Sequence, residues 1–363
     1  MTNQPITLLE QAISEQGYDC ALITDPKHVY YLTGFASNPH ERFLGLLLVR
    51  GEEPTLIVPS LDEDAAAAAS SVKKIATHQD TDNPYLILQK YLPQHIDTMG
   101  VEKENLSIAR YEELVQYANA KSYADAGPLL RKLRVRKAPH EVDRMKFAAQ
   151  MIEEVLKRGL SHVKEGVTEI ELVAEMEYQM KKLGASGPSF DTMVLSGPNT
   201  ALPHGVPGTR KLQYGDLLMF DMGVYANGYA SDITRTFAFG ELSPELTNIY
   251  NTVLAANLKG IEAVKPGATL ASVDLAARQV TIDAGYGERF LHRLGHGLGI
   301  DVHEYPSVHG ANQELLTEGL TFTIEPGIYV PNLGGVRIED EVLVTADGVK
   351  LLTSYPKELQ ILG

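Results

Sequence analysis

A single cysteine, Cys20, rules out an intramolecular disulfide. It falls in the strand-like run DCALIT, where a small buried residue is the plain expectation. No basic segment followed by an apolar stretch opens the sequence, and no uninterrupted apolar run approaches membrane-spanning length. Positive charge is scarce as well: 32 Lys and Arg face 47 Asp and Glu, a formal net charge of -15. That balance speaks against nucleic acid, which needs a basic face, and against an anionic membrane surface. A soluble cytoplasmic protein is expected. There is no G-x-S-x-G elbow, and the glycines at 295, 297 and 299 alternate as G-x-G-x-G, outside any dinucleotide fingerprint. The zincin pattern fails too, because Ser307 stands where a second histidine should follow His303-Glu304. Repeats and low-complexity tracts are absent.

What remains is an ordinary globular composition, 44% hydrophobic and 22% charged, in a chain long enough for two domains. Alternating helical and strand-like signals up to residue 128 predict a small α/β domain, with a hairpin turning at Gly51-Glu52. Residues 129–143, rich in Lys and Arg, read as a solvated linker, and 144–363 as a second domain. There, helices are predicted from Pro139 towards Gly159, from Thr168 (a capping box with Glu171) to Gly184, from Ser243-Pro244, and from Ser272 to Ala284. Strands are predicted over 216–224, 229–239, 321–324 and 336–344. Hairpins in place of βαβ alternation make this domain α+β.

The hairpin around Asn227-Gly228 carries two aspartates in an apolar setting, where strand interiors disfavour them. A two-residue turn pairs Ala226 with Tyr229, so Asp221 opposes Thr234 and Asp232 opposes Gly223. The two acids are then diagonal neighbours on one face, with Cα atoms roughly 7–8 Å apart. On the hairpin alone, metal binding and a solvated face are both open. Further on, His292, His296 and His303 are interleaved with glycines that permit close backbone approach. In LTFTIEPGIYV, Thr323 and Glu325 share a strand face, and in GGVRIEDEVLV so do Arg337, Glu339 and Glu341. Read singly, each of these is an ordinary half-exposed strand. His204, between Pro203 and Gly205, reads on its own as a turn residue, and His292 as a packing histidine.

Taken in order, Asp221 in FDMG, Asp232 in SDITRT, His296 in GHGLG, Glu325 in IEPGIY and Glu339 in VRIED closely resemble the pita-bread metallopeptidases. That family holds methionine aminopeptidase, aminopeptidase P, prolidase and the non-metal relative creatinase. The resemblance implies a C-terminal pita-bread (creatinase/aminopeptidase-like) domain after a smaller α/β creatinase-type N-terminal domain. HRLGHGLGIDVHEYPS and GFASNPHER look most like bacterial Xaa-Pro dipeptidases.

The resemblance further implies two divalent ions, Mn2+ or else Co2+ or Zn2+, which generate hydroxide and polarise a scissile carbonyl. Asp221 would chelate one ion and His296 with Glu325 the other, with Asp232 and Glu339 bridging. Glu325 is the implied proton shuttle, and His204 and His303 match histidines that bind substrate and oxyanion. His292 matches a further active-site histidine, Arg337 would orient a carboxylate, and His40 lies in a loop that can cap a dimer partner's site. The substrate implied is a proline-containing dipeptide or short peptide, and the assembly a homodimer. Xaa-Pro dipeptidase is the preferred reading, aminopeptidase P on longer peptides the alternative, and an inactive binding module the alternative of another class. Some prolidases have an arginine where this chain has Ser307, leaving Arg293, His40 or Arg42 to anchor a free carboxylate.

Overall fold

The computed structural model describes residues 4–363, and the chain divides into two compact units, Met1–Arg134 and Val135–Gly363. The first runs α1 (Gln4–Glu15), β1 (Cys20–Ile23), α2 (Pro26–Thr33), β2 (Gly45–Val49), β3 (Thr55–Pro59), α3 (Glu63–Ala69), β4 (Lys74–His78), α4 (Pro84–Gln89), β5 (Thr98–Val101), α5 (Ile108–Ala118), β6 (Ser122–Asp125) and α6 (Gly127–Val135). Its six-stranded sheet has the order β4-β3-β2-β1-β5-β6. Side chains alternate across each strand, so Ala21, Ile23, Leu46 and Leu48 join one core with α1 and α2. Cys20, Leu22 and Leu47 join the opposite core with α4 and α5. The hairpin expected at Gly51-Glu52 is present, β2 pairing antiparallel with β3.

The stretch 129–143 is not the extended linker that its charge suggested. Leu130 and Arg134 are buried on α6, and Pro139 already opens the next helix, leaving only residues 136–138 between them. Arg131, Lys132 and Arg134 therefore occupy faces of α6, while Lys137, in the short gap, is buried and pairs with Glu304.

The second unit runs α7 (Pro139–Gly159), α8 (Glu169–Lys182), β7 (Gly187–Pro188), β8 (Met193–Ser196), β9 (Asp216–Met222), β10 (Val224–Ala226), β11 (Tyr229–Ala230), β12 (Ile233–Phe239), α9 (Pro244–Ala263), α10 (Leu270–Asp283), β13 (Gly295–Gly297), β14 (Glu304–Val308), β15 (Thr321–Ile324), β16 (Gly327–Val330), β17 (Gly334–Arg337), β18 (Asp340–Thr345), β19 (Gly348–Leu351) and β20 (Ile361–Leu362). Helix starts follow side-chain caps. Thr168 and Glu171 form the capping box of α8, Ser243 caps α9, and Thr269 caps α10, which begins at Leu270, two residues before the expected start. On β9, Leu218, Phe220 and Met222 pack with Ile152, Val155 and Leu172 of α7 and α8. The alternate residues Leu217 and Met219 belong to separate clusters on the other side, and Asp221 shares their parity.

Two expected strands are divided. The 336–344 segment breaks at Ile338-Glu339 because β17 pairs back on β16, whereas β18 pairs with β15 and β19. The Asn-Gly hairpin divides into β9–β12 and β10–β11 at Gly223, but its register survives, with Ala226 opposite Tyr229 and Asp221 opposite Thr234. A Cβ on Gly223 would lie 1.8 Å from the Ser231 carbonyl oxygen, so only glycine lets the strands close here. No helix among the described residues is long and apolar enough to cross a membrane.

Candidate metal centre

Strand alternation and two strand breaks bring five ligand-type side chains to one place in the second unit. Donor atoms of Asp221, Asp232 and Glu339 lie within 4.8 Å of one another, as do those of His296, Glu325 and Glu339, and those of Asp232, His296 and His303. Asp221 comes from β9 and His296 from β13. Asp232 precedes β12, Glu325 follows β15, and Glu339 occupies the gap between β17 and β18, so three of the five stand where ladder pairing stops. Asp232, His296 and Glu339 are buried, Asp221 and Glu325 half-buried, and His303 exposed at the edge. The strands expected as half-exposed are instead buried on both faces over Thr321–Ile324.

The seam along β12 fixes these groups. Glu339 N–H donates to the Thr234 carbonyl at 3.1 Å, and Thr234 Oγ1 donates to Glu339 Oε2 at 2.8 Å. Asp232 N–H donates to Glu341 Oε1 at 2.8 Å. Behind the seam lies Arg235, 1% exposed. Its Nη1 donates to the carbonyls of Thr234 (2.9 Å) and Glu339, and its Nη2 to Asp340 Oδ1 and the Tyr355 carbonyl, each at 2.8 Å. Pro356 O accepts from its Nε at 3.2 Å, and Lys357 bonds the second oxygen of Asp340.

The electrostatics suit a cation. His296 Nδ1 faces the Gly297 carbonyl at 3.1 Å, and a carbonyl only accepts, so Nδ1 carries the ring proton. Nε2 then points a lone pair at Glu325 Oε1, 3.3 Å away, and at Asp232 Oδ2, 3.6 Å away. Burial, with His303 adding, pushes the His296 pKa down to about 3, so a second ring proton does not fill the gap. Burial and the surrounding carboxylates hold Asp232 and Glu339 well above the usual carboxylate range. Burial, helped by Asp221 and opposed by Arg337, raises Glu325 to about 7. Oxygen donors with one imidazole suit a divalent ion such as Mn2+, Co2+ or Zn2+, and the residues present fit one.

The remaining expected residues divide. Arg337 Nη2 bonds Asp221 Oδ2, its Nε donates to Thr234 Oγ1 at 3.2 Å, and its Nη1 to Tyr329 Oη at 2.7 Å. Tyr329 Oη–H is left to donate to His292 Nε2 at 2.9 Å, while His292 Nδ1–H donates to the Arg293 carbonyl at 2.8 Å. His292 thus belongs to a chain leading to Asp221, and burial lowers its pKa to about 4. His204 is exposed, and its proximity contributes to lowering the pKa values of His292 and His303. The cluster is drawn from the C-terminal unit, so His40, exposed with φ 54° in the N-terminal unit, is not among the residues it gathers.

Sequence reasoning missed Tyr329, Thr234 and the role of Glu341. The one local signal for Tyr329 is Gly327, where a Cβ would lie 2.3 Å from the phenol oxygen. Glu341 shares the face of Arg337 and Glu339, but its task is to accept the Asp232 N–H. Its Oε2 is buried with no hydrogen-bond partner among the described residues, and burial lifts its pKa to about 8.

Residues 143–346 match the model of metallopeptidase family M24, and residues 5–136 that of the Creatinase/Prolidase N-terminal domain. A putative dipeptidase, YkvY, of Bacillus subtilis is 45% identical over 96% of this chain and 97% of its own. The structure of an Xaa-Pro dipeptidase from Bacillus anthracis superposes with a TM-score of 0.93 at 35% identity, covering 99% of each chain. A prolidase from Pyrococcus horikoshii OT3 gives 0.91 at 36%, covering 98% of this chain and 99% of its own. The expected creatinase-type N-terminal domain and pita-bread catalytic domain are thus both present. With both matches spanning the two units and the first enclosing all five ligand-type residues, the chain belongs to metallopeptidase family M24.

Proposed function

We propose that this protein hydrolyses Xaa-Pro dipeptides with two divalent ions, preferably Mn2+, bound by Asp221, Asp232, His296, Glu325 and Glu339. The observation that carries the reading is the His296 lone pair directed at two carboxylate oxygens, three donor atoms that one divalent cation would satisfy together. Asp221 would hold one ion and His296 with Glu325 the other, with Asp232 and Glu339 shared. Bound there, such ions lower the pKa of water and polarise a carbonyl.

Glu325 takes a proton from the attacking water as the new C–O bond forms, and delivers it to the proline nitrogen as the C–N bond then breaks. That nitrogen carries no N–H in the substrate, so its protonation is what permits departure. His303 and His204 donate to the substrate and to the oxyanion of the tetrahedral intermediate. Arg337 holds Asp221 in place, and Tyr329 and His292 hold Arg337.

Arg293 supports the dipeptide preference. Its Nη1 donates to Ser307 Oγ at 3.2 Å, and among the described residues it has no acidic partner. Arg42, by contrast, is committed to both oxygens of Asp80. A guanidinium so placed would receive the free carboxylate of a substrate ending in proline. The homodimer belongs to the same proposal and is measured by light scattering.

With Mn2+ added, Ala-Pro should be cleaved faster than Ala-Pro-Ala, and Arg293→Ala should raise KM for Ala-Pro with little effect on the tripeptide. Faster cleavage of the tripeptide favours an aminopeptidase. A purified protein that takes up no Mn2+, Co2+ or Zn2+ favours a binding module.

A further inference from the structure

Acids in the first turn of a helix ordinarily face water near the positive end of its dipole. Glu169, the first residue of α8, turns inward and is 1% exposed. Four donors converge on its carboxylate. Ser196 N–H (2.8 Å), Ser196 Oγ (3.0 Å) and Asn199 Nδ2 (3.0 Å) reach Oε1, and Gly208 N–H (3.0 Å) reaches Oε2. Ser196 and Gly208 bracket the loop 197–207, and His204 lies near its tip.

The rest of the loop is held at its base. Arg210 bonds both oxygens of Asp216 and reaches Ser196 Oγ at 2.7 Å. Thr200 Oγ1 accepts the Gly335 N–H at 2.8 Å, resting the loop on β17, the strand that ends in Arg337. Beyond Thr200 the hydrogen bonds are short-range turns, Leu202 to Asn199 and Gly205 to Leu202. Leu202 and Val206 are 54% and 85% exposed, and Gly205 between them lies close against a buried side chain, Leu195 of β8, so packing holds the tip at one point. Its position is inherited largely from the base, where the Ile170 N–H also donates to the Gly208 carbonyl at 3.1 Å but the Glu169 carboxylate is the group that joins the two ends of the loop.

We propose that Glu169 is the positioning residue for His204: by joining both ends of the loop, it sets where that imidazole meets the substrate. This rests on the role given above to His204. Glu169 touches neither substrate nor any metal-ligating side chain, so its removal should displace His204 and leave the metal centre as it was.

Glu169→Gln keeps an acceptor for Ser196 and Asn199 but presents an amide to the Gly208 N–H. Its kcat/KM for Ala-Pro at saturating Mn2+ should fall about tenfold or more. Mn2+ affinity and the visible spectrum of the Co2+-loaded protein should stay unchanged, and backbone hydrogen exchange over 201–207 should quicken. Asn199→Ala, which removes one donor of the four, should shift the same readouts less and serves if the first variant fails to fold. Combined with His204→Ala, the Glu169→Gln substitution should cost almost nothing more. Unchanged exchange in the loop, or losses that multiply in the double variant, would overturn the proposal. If His204→Ala retains full activity, the role of His204 is wrong and the positioning role falls with it. A wild-type protein inert towards both peptides removes the peptidase reading, and the exchange measurement then still decides whether Glu169 fixes the loop.

Discussion

Asp232 combines the features that make a carboxylate costly without a cation: burial, four acidic neighbours and a histidine lone pair 3.6 Å away. Replacing it by asparagine keeps the shape but removes the charge. Asp232→Asn should lose about a hundredfold or more in kcat/KM, at or beyond the upper end of what losing a supporting partner costs a metal site. Calorimetric titration should show weaker or fewer Mn2+ equivalents, and full activity would contradict the shared-ligand role. Protonation gives a second test at this scale. Glu325 at about 7 and Glu341 at about 8 sit above the ordinary glutamate value of 4.5, so the native chelated protein keeps protons that the unfolded chain has released. His296 and His292, lowered to about 3 and about 4 from 6.5, act in the opposite direction, but only below about 6.5. From about pH 6.5 to 8 the carboxylates act alone, and the stability of chelated protein should fall. Melting curves with EDTA and with Mn2+ across that window should diverge as pH rises, and a constant difference would count against these assignments. Strand parity read from the sequence put Asp221 and Asp232 on one face, but it left a solvated face open, and the full ligand set was expected only from the motifs' resemblance to a family. Thr234, Tyr329 and Glu341 were not legible, since their partners lie a hundred residues away or on the far side of a turn.

At the scale of elements, the centre depends on where pairing fails. Gly223 and the Ile338-Glu339 break let strands of one sheet pass to another while keeping the two-residue period. Gly223→Ala would force the strands apart at the Ser231 carbonyl. It should cost about 3 kcal/mol, the upper end for overpacking, and weaken Mn2+ binding because Asp221 and Asp232 flank the contact. A variant with unchanged melting temperature and metal affinity would show that the hairpin yields there without consequence. The Asn227-Gly228 turn and its register could be read from sequence because turn length sets parity. The division of 336–344 could not, because residues 334–337 and 340–345 are equally good strand sequences and only their separate partners set the boundary.

For the whole molecule, two compact units with their own apolar cores make metal dependence a local property. Mn2+ at a hundredfold excess over its dissociation constant adds about 2.7 kcal/mol to whatever unit binds it. Hydrogen exchange on warming should therefore show Mn2+ protecting segments within 135–363, while β1 to β6 exchange as before. Equal protection of both would mean that they unfold as one. The division into two units was visible from length and the change of pattern, and it falls inside the expected 129–143 stretch, but the helical character of that stretch was not visible, since a helix dense in Lys and Arg is hard to tell from a connector until its buried side is known.

Arg235 adds an order in time. During synthesis from the N-terminus, the ligand-type residues emerge in the sequence 221, 232, 296, 325 and 339, yet the guanidinium behind them still lacks the carbonyls of Tyr355 and Pro356. Until those residues leave the ribosome, closing the strands that carry Asp232 and Glu339 over Arg235 would strip water from a guanidinium that still lacks part of its acceptors. The centre is therefore among the last parts of the nascent chain to set, and a product truncated before Tyr355 would carry every ligand and still be unfit to hold metal firmly.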